Sequence, residues 1–136
     1  MPSRYLIDTH TFIWIISDPG KLSKNALEVI TNKKNEIFVS VISFWEISLK
    51  TSIKKFFLEG IIVGKLPEYA QKMDLKILNV QAREACTFAD LPMKENHKDP
   101  FDRMIIWQAI TENMTLISKD QLFDQYKDNG LIKLVW

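Results

Sequence analysis

Apolar and polar positions change period repeatedly along this chain. Arg4-Tyr5-Leu6-Ile7 is a short β-prone run that stops at Asp8, and Thr9 to Ile16 then reads as a helix crowded with large apolar side chains. Asp18-Pro19-Gly20 breaks it, because proline lacks a backbone donor and glycine tolerates left-handed φ. Ser23 is placed to cap a helix over Lys24–Thr31, which offers Leu27, Val29 and Ile30 for burial. Glu36 to Ser40 is a second strand. A helix from Ile42 to about Lys54 follows, with Phe44, Trp45, Ile47, Ser48 and Leu49 as a broad buried stripe. Residues 56–64 are ambiguous, since Phe56-Phe57-Leu58 and Ile61-Ile62-Val63 are broken by two glycines.

Pro67 suits the first position of a helix that runs to about Met73. Leu75 to Leu78 alternates as a third strand, and Gln81 to Ala89 is helical. After a polar loop from Pro92 to Lys98 come a strong helix over Pro100–Asn113 and a fourth strand over Thr115–Ser118. A short helix from Gln121 to about Tyr126 and a last edge strand within Leu131–Trp136 complete the order. This alternation predicts an α/β three-layer sandwich: a mainly parallel sheet of four to five strands flanked by helices, in a single domain over residues 1–136. Right-handed crossovers then bring the carboxyl ends of the strands to one side.

Composition narrows the function classes. Apolar residues make up 46% of the 136 and charged residues 26%, with a net charge of +1. That balance excludes a highly basic nucleic-acid coat and a disordered acidic tail, but it leaves room for a local basic patch. Fifteen of the 18 basic residues are lysines, which favours point-charge contacts over planar forks. The single cysteine, Cys86, cannot form an internal disulfide and is expected to be a small core residue; no Cys/His cluster has zinc spacing. No apolar run approaches the roughly 20 residues of a membrane span. The N-terminus does not read as a signal peptide, so a cytoplasmic domain with no membrane partner is expected.

The acids fall at the ends of the elements. Asp8 closes the first strand, and Asp120 lies two residues past Ser118 at the end of the fourth. Asp99 and Asp102 open the long helix, and Glu46 sits about one turn into the helix after the second strand. Strand ends and the helix starts that follow them share one edge of a parallel sheet, so these five acids are expected to converge. A hard divalent cation, Mg²⁺ or Mn²⁺, is the chemical reason to collect them; without one they repel and at least one pKa rises.

Each acid also has a plain structural reading. Asp99-Pro100-Phe101-Asp102 has the form of a capping box with proline at its first helical position. Asp8 and Asp120 can cap the helices after them, Asp102 can pair with neighbouring Arg103, and Glu46 can pair with Lys50 four residues on. Glu46, flanked by Phe44, Trp45 and Ile47, has no cap to make and is the most diagnostic of the five. His10 and the hydroxyls of Thr9 and Ser118 lie beside Asp8 and Asp120, either as local backbone partners or as groups that orient a carboxylate, a water or a phosphate. His97, just before Asp99, invites a general-base role, but in a polar loop it is expected to be a solvated residue.

Four blocks of the sequence resemble the PIN domain, and most closely its VapC-type toxins, the ribonuclease half of type II toxin–antitoxin pairs. They are Leu6-Ile7-Asp8-Thr9-His10, Ser43-Phe44-Trp45-Glu46-Ile47, His97-Lys98-Asp99-Pro100-Phe101-Asp102-Arg103 and Leu116-Ile117-Ser118-Lys119-Asp120, and in order and spacing they cover nearly the whole chain. The resemblance implies a Mg²⁺- or Mn²⁺-dependent endoribonuclease in which Asp8, Glu46, Asp102 and Asp120 hold the metal. It leaves Asp99 as a further ligand, an outer carboxylate or only the N-cap. It also implies in-line hydrolysis leaving a 5′-phosphate, with Asp99 or Glu46 orienting or deprotonating the water. Two departures are mild: Ser118 stands where threonine is commoner, and Trp107 is bulky where alanine is frequent.

The implied partners are an RNA substrate (tRNA, rRNA or mRNA), a cognate antitoxin protein that wraps an apolar groove and blocks the acids, and a second copy in a homodimer. Lys50, Lys54, Lys55, Arg103 and Lys119 are placed to contact phosphates, although Lys54 and Lys55 suit a solvated face equally well. Phe12, Trp14, Ile15, Ile16 and Phe56-Phe57-Leu58 supply either core or more apolar surface than one small core needs. Two other classes compete. A phosphatase or phosphotransfer domain is weakened because Thr9-His10, not a second acid, follow Asp8. A non-catalytic interaction or RNA-binding module with the same fold is disfavoured by the four filled acidic positions.

Overall fold

The computed structural model describes residues 2–55, 58–94 and 96–136. Its strands are β1 (Arg4–Ile7), β2 (Glu36–Ser40), β3 (Lys76–Leu78), β4 (Thr115–Ile117) and β5 (Leu134–Val135). The helices are α1 (Thr9–Ser17), α2 (Lys24–Thr31), α3 (Val41–Ser52), α4 (Leu66–Lys72), α5 (Ala82–Thr87), α6 (Pro100–Thr111) and α7 (Asp124–Asp128). Phe56 and Phe57 of the ambiguous stretch lie outside the described residues; beyond them the chain makes a turn and a short 3₁₀ helix, Val63–Lys65, rather than a strand.

Side chains and backbone conformation fix where the helices begin and end. Asp8, Ser23, Ser40 and Asp99 each accept a backbone N–H from the first turn of the helix that follows, satisfying donors the helix itself cannot. Asp74 and Asn113, both left-handed at φ 60° and 54°, stop α4 and α6 just before β3 and β4.

The five strands are all parallel, in the order β3-β2-β1-β4-β5. From β1 the chain steps outward through β2 to β3, then returns to place β4 and β5 on the opposite side. That reversal opens a crevice at the carboxyl ends of β1 and β4, where open parallel sheets receive ligands. β1 is central, and successive residues feed opposite cores. Leu6 and Leu116 pack with Ile105, Ile106, Phe123 and Tyr126 on one face. Ile7 and Ile117 pack with Phe12, Ile15, Ile47 and Leu66 on the other. Covered on both sides, the strand reads as an apolar run rather than an alternation.

Three expectations about burial are corrected, the first being Leu27 of α2, which is 43% exposed. On α3 the inward face is Ile42, Ser43, Glu46 and Ile47, while Trp45, Leu49 and Ile53, four residues apart, point outward; Trp45 is 59% exposed. Cys86 is exposed rather than core, because the short α5 turns Glu84 inward. There Glu84 accepts from the Gln81 N–H and from the Thr111 hydroxyl. Phe12 and Ile15 of α1 are core. Among the described residues no helix is long and apolar enough to cross a membrane.

Candidate functional site

The crevice collects the acids that the sequence spaced apart. Asp8 is buried, its Oδ1 accepting the Thr11 N–H at 2.9 Å and its Oδ2 accepting the Ser118 hydroxyl at 2.5 Å. The Ser118 oxygen in turn accepts the Asp120 N–H at 3.0 Å, so one hydroxyl ties together the two strand ends that carry acids. Asp120 caps the 3₁₀ turn Gln121–Phe123, and Asp99 caps α6 with the N–H groups of Phe101 and Asp102. In all three aspartates the cap uses Oδ1 alone. A carboxylate has about four lone-pair sites, so capping does not compete with binding a ligand through the other oxygen.

Glu46 arrives from α3, which is drawn to α1 by the Thr9 hydroxyl donating to Ser43 Oγ at 2.9 Å. Its carboxylate is 3% exposed. Lys50 donates to Oε2, but Oε1 is buried with no partner among the described residues. The pairing that a surface reading of Glu46 expects does form, yet it satisfies only half the group. At the end of β2 the Ser40 hydroxyl donates to Gln108 Oε1 at 2.6 Å, fixing α6 against the sheet. Gln108 is wholly buried and reads in the sequence as an ordinary helix position.

Electrostatics show how close the acids are. The Asp102 carboxyl is pushed up to about 8 by burial first, then by the charges of Asp99, Glu46, Asp8 and Asp120. Burial also raises Asp8, against the hydrogen bonds from Ser118 and Thr11. Desolvation would lower the Lys50 ammonium, but Glu46 with help from Asp99 and Asp102 outweighs it and the pKa rises.

As the side chains stand, no three His, Cys, Asp or Glu groups among the described residues converge tightly enough to chelate one ion. The donor set nevertheless fits a hard divalent cation. It is all oxygen, it leaves a buried carboxylate oxygen unpartnered, and its burial and confined charge together hold the Asp102 pKa well above the normal range.

Beside the acids, Asp8, His10, Trp14, Lys119 and Asp120 line an open recess of about 220 Å³, with Lys119 Nζ 5.9 Å from the Trp14 ring centroid. Of three larger recesses, those of about 480 and 650 Å³ lie toward the amino ends of the strands and one of about 530 Å³ lies between Phe88–Met93 and the start of α6; none is lined by any of the five acids. A shallow, open acidic site suits a polymer better than a small enclosed substrate.

The other expected contacts divide. His10 and Lys119 are exposed at the recess, Lys50 is half-buried, and Lys54 and Lys55 are exposed beyond the end of α3. Thr9 and Ser118 are buried and hold the acids' elements rather than facing solvent. Arg103 is corrected as a phosphate contact and as a partner for Asp102. It is 5% exposed, and its guanidinium donates to the carbonyls of Leu91 and Pro92 and to the Tyr126 hydroxyl. His97 is corrected as a solvated residue: it is 1% exposed, with Nδ1 2.7 Å from Tyr126 Oη and Nε2 3.5 Å from Asp102 Oδ2. The capping box is half made. Asp99 caps, but among the described residues no bond returns from Asp102 to the Asp99 N–H.

The family model for the PIN domain matches residues 5–129. Among solved structures, the chain is similar to a chain of DNA-bound VapBC from Salmonella typhimurium (TM-score 0.64, 16% identity, 99% of this chain and 98% of that one). It is also similar to a chain of VapBC2 from Rickettsia felis bound to a DNA fragment from the promoter (TM-score 0.61, 18% identity, 97% of each). A third is FitAcB from Neisseria gonorrhoeae (TM-score 0.59, 18% identity, 97% and 96%). At these identities the likeness is one of fold. No curated protein matches the sequence significantly.

Proposed function

The chain belongs to the PIN domain family, and from that membership we propose that it is a metal-dependent endoribonuclease, the toxin of a type II toxin–antitoxin pair. It acts as a single domain over residues 1–136, in the cytoplasm. The observation that carries the reading is the acidic crevice at the β1/β4 reversal, where burial, with the charges of four neighbouring acids, raises Asp102 to about 8 and Glu46 Oε1 is buried without a partner among the described residues.

Asp8, Glu46, Asp102 and Asp120 would hold Mg²⁺ or Mn²⁺, with Asp99 as a further or outer carboxylate. A divalent cation there supplies acidification of water and neutralisation of the charge that builds on a transferring phosphoryl group. The chain's own groups do the positioning. Ser118 and Thr11 fix Asp8, Lys50 fixes Glu46 through Oε2, and Asp99 or Glu46 would orient or deprotonate the attacking water. Water would attack phosphorus in line, giving its proton to a carboxylate, and the P–O3′ bond would break with the departing O3′ taking a proton from solvent, leaving a 5′-phosphate and a 3′-hydroxyl. His10 and Lys119 line the recess beside the acids and would meet the RNA there. None of these groups uses the 2′-hydroxyl, so preference for RNA comes from shape and flanking contacts.

The partners follow from the same reading: an RNA substrate (tRNA, rRNA or mRNA), a cognate antitoxin and a second copy of the chain. The outward stripe of Trp45, Leu49 and Ile53 on α3 supplies apolar surface for a protein contact. One observation favours a second reading, a non-catalytic PIN-fold module: the carboxylates stand apart, without a chelating trio among the described residues. Incubation of labelled tRNA with the purified protein and Mn²⁺, with and without EDTA, and with Asp8→Asn, separates the two. Cutting that needs the metal and is lost in Asp8→Asn supports the nuclease. Cutting that survives EDTA, or no cutting of any RNA pool by folded protein, contradicts it.

A further inference from the structure

Behind Asp102 runs a line of buried polar groups that the cation site does not itself account for. Arg103 Nη1 donates to Tyr126 Oη at 3.1 Å. His97 Nδ1 lies 2.7 Å from that same oxygen, and His97 Nε2 lies 3.5 Å from Asp102 Oδ2. Arg103, Tyr126 and His97 are at most 5% exposed. The imidazole is fixed edge-on between Phe123 and Tyr126, with ring centroids 5.7 and 5.4 Å away.

The chemistry gives this line a direction. A guanidinium only donates, so the Tyr126 oxygen accepts from Arg103 and its own proton goes to His97 Nδ1. A neutral imidazole that accepts at Nδ1 carries its proton on Nε2. His97 Nε2 is buried, has no other partner among the described residues, and has the Asp102 carboxyl as its neighbour. At 3.5 Å the two are within ion-pair range, just short of a formed hydrogen bond.

We infer that His97 is a positioning residue for the cation site: set as its Nε2–H tautomer by Arg103 and Tyr126, it holds Asp102 Oδ2 and leaves the other oxygen for the metal. This rests on the reading of the acids as a cation site. It also gives one sense to the polar residues of His97-Lys98-Asp99-Pro100-Phe101-Asp102-Arg103. Asp99 starts the helix, Asp102 faces the site, and Arg103 begins a relay that His97 returns to Asp102. Arg103 also anchors the preceding loop through the Leu91 and Pro92 carbonyls.

The test is Mn²⁺ titration calorimetry on the full chain, with thermal melting of each variant. His97→Phe keeps an aromatic ring and removes the donor; His97→Gln restores an N–H near the Nε2 position. The expected result is an affinity loss of about tenfold or more in His97→Phe, largely recovered in His97→Gln. With RNA saturating, the cleavage defect of His97→Phe then falls on kcat rather than KM. Wild-type Mn²⁺ affinity in folded His97→Phe overturns the inference, as does an equal loss in both variants at equal melting temperature. If His97→Phe fails to fold, Tyr126→Phe decides: weakened Mn²⁺ binding supports the tautomer lock, and unchanged binding overturns it. Wild-type protein that binds no Mn²⁺ overturns the cation reading itself, a result distinct from a wild type that binds while His97→Phe binds equally.

Discussion

The two edges of the sheet treat their carboxylates in opposite ways. At the amino edge, Glu36 pairs with Lys76 across β2 and β3, and Glu112 lies 3.9 Å from Arg4. Both of these acids have a cation nearby and partial access to water. At the carboxyl edge, five acids gather, and Lys50 pairs with one of them. Hydrogen bonds and caps satisfy parts of the group, but burial together with neighbouring charge raises Asp102 to about 8, and one Glu46 oxygen is without a partner among the described residues. The first arrangement is a stable surface. The second raises the energy of the ion-free fold and is the kind of local conflict that marks a functional site.

The sharpest break between the edges is chemical. Asp8→Asn removes charge from the crevice while keeping a side-chain oxygen to cap α1, so far-UV circular dichroism should be unchanged. RNA cleavage with Mn²⁺ should fall by about 100-fold or more, at least ~2.7 kcal/mol of barrier.

Stability should separate the edges next, with a defined sign. Asp102 keeps its proton to about 8 in the folded protein, whereas an unfolded chain releases it near pH ~4. Between those values the folded state binds more protons, so cation-free stability falls as pH rises, by on the order of 1 kcal/mol per unit. The contribution is complete below the unfolded value and is lost as pH passes through 8. Asp102→Asn should flatten this slope and melt higher than wild type at pH 8 without metal; denaturant unfolding at pH 5 and pH 8 measures it. A mutation that stabilises the fold while weakening Mn²⁺ binding is the signature of a site held against its own repulsion.

At the amino edge, Glu36→Gln should change stability by no more than about 0.5 kcal/mol and leave cleavage unchanged, because the pair is solvent-screened. Smallest of all is Cys86→Ser, for which melting temperature and cleavage should both match wild type, since the thiol is exposed.

What could be read from the sequence follows the same division. The parallel sheet and its helices were legible because apolar runs and breakers are local signals. Asp8 and Asp120 stop strands, and Pro100 starts a helix. The five acids were legible because a parallel topology fixes which ends share an edge. Burial set by distant partners was not. His97 sits in a run of polar loop residues, and only the 3₁₀ turn Gln121–Phe123 and α7, nearly thirty residues later, supply the Phe123 and Tyr126 that enclose it. Arg103 looked like a surface cation because its acceptors are backbone carbonyls, which no side-chain pattern reveals. Helical geometry could have caught the turn of α3. Residues 45, 49 and 53 fall on one face and 43, 46 and 47 on another, which already separates Trp45 from Glu46.

Calorimetric titration of the metal-free protein with Mn²⁺ at pH 7, in two buffers of different ionisation enthalpy, tests the central claim most directly. If the carboxyl edge is a cation site that a proton occupies in the metal's absence, Mn²⁺ binds with release of about one proton, and Asp102→Asn binds more weakly with that release abolished. Absence of Mn²⁺ binding by the folded protein, or binding with no proton release in wild type, would contradict it.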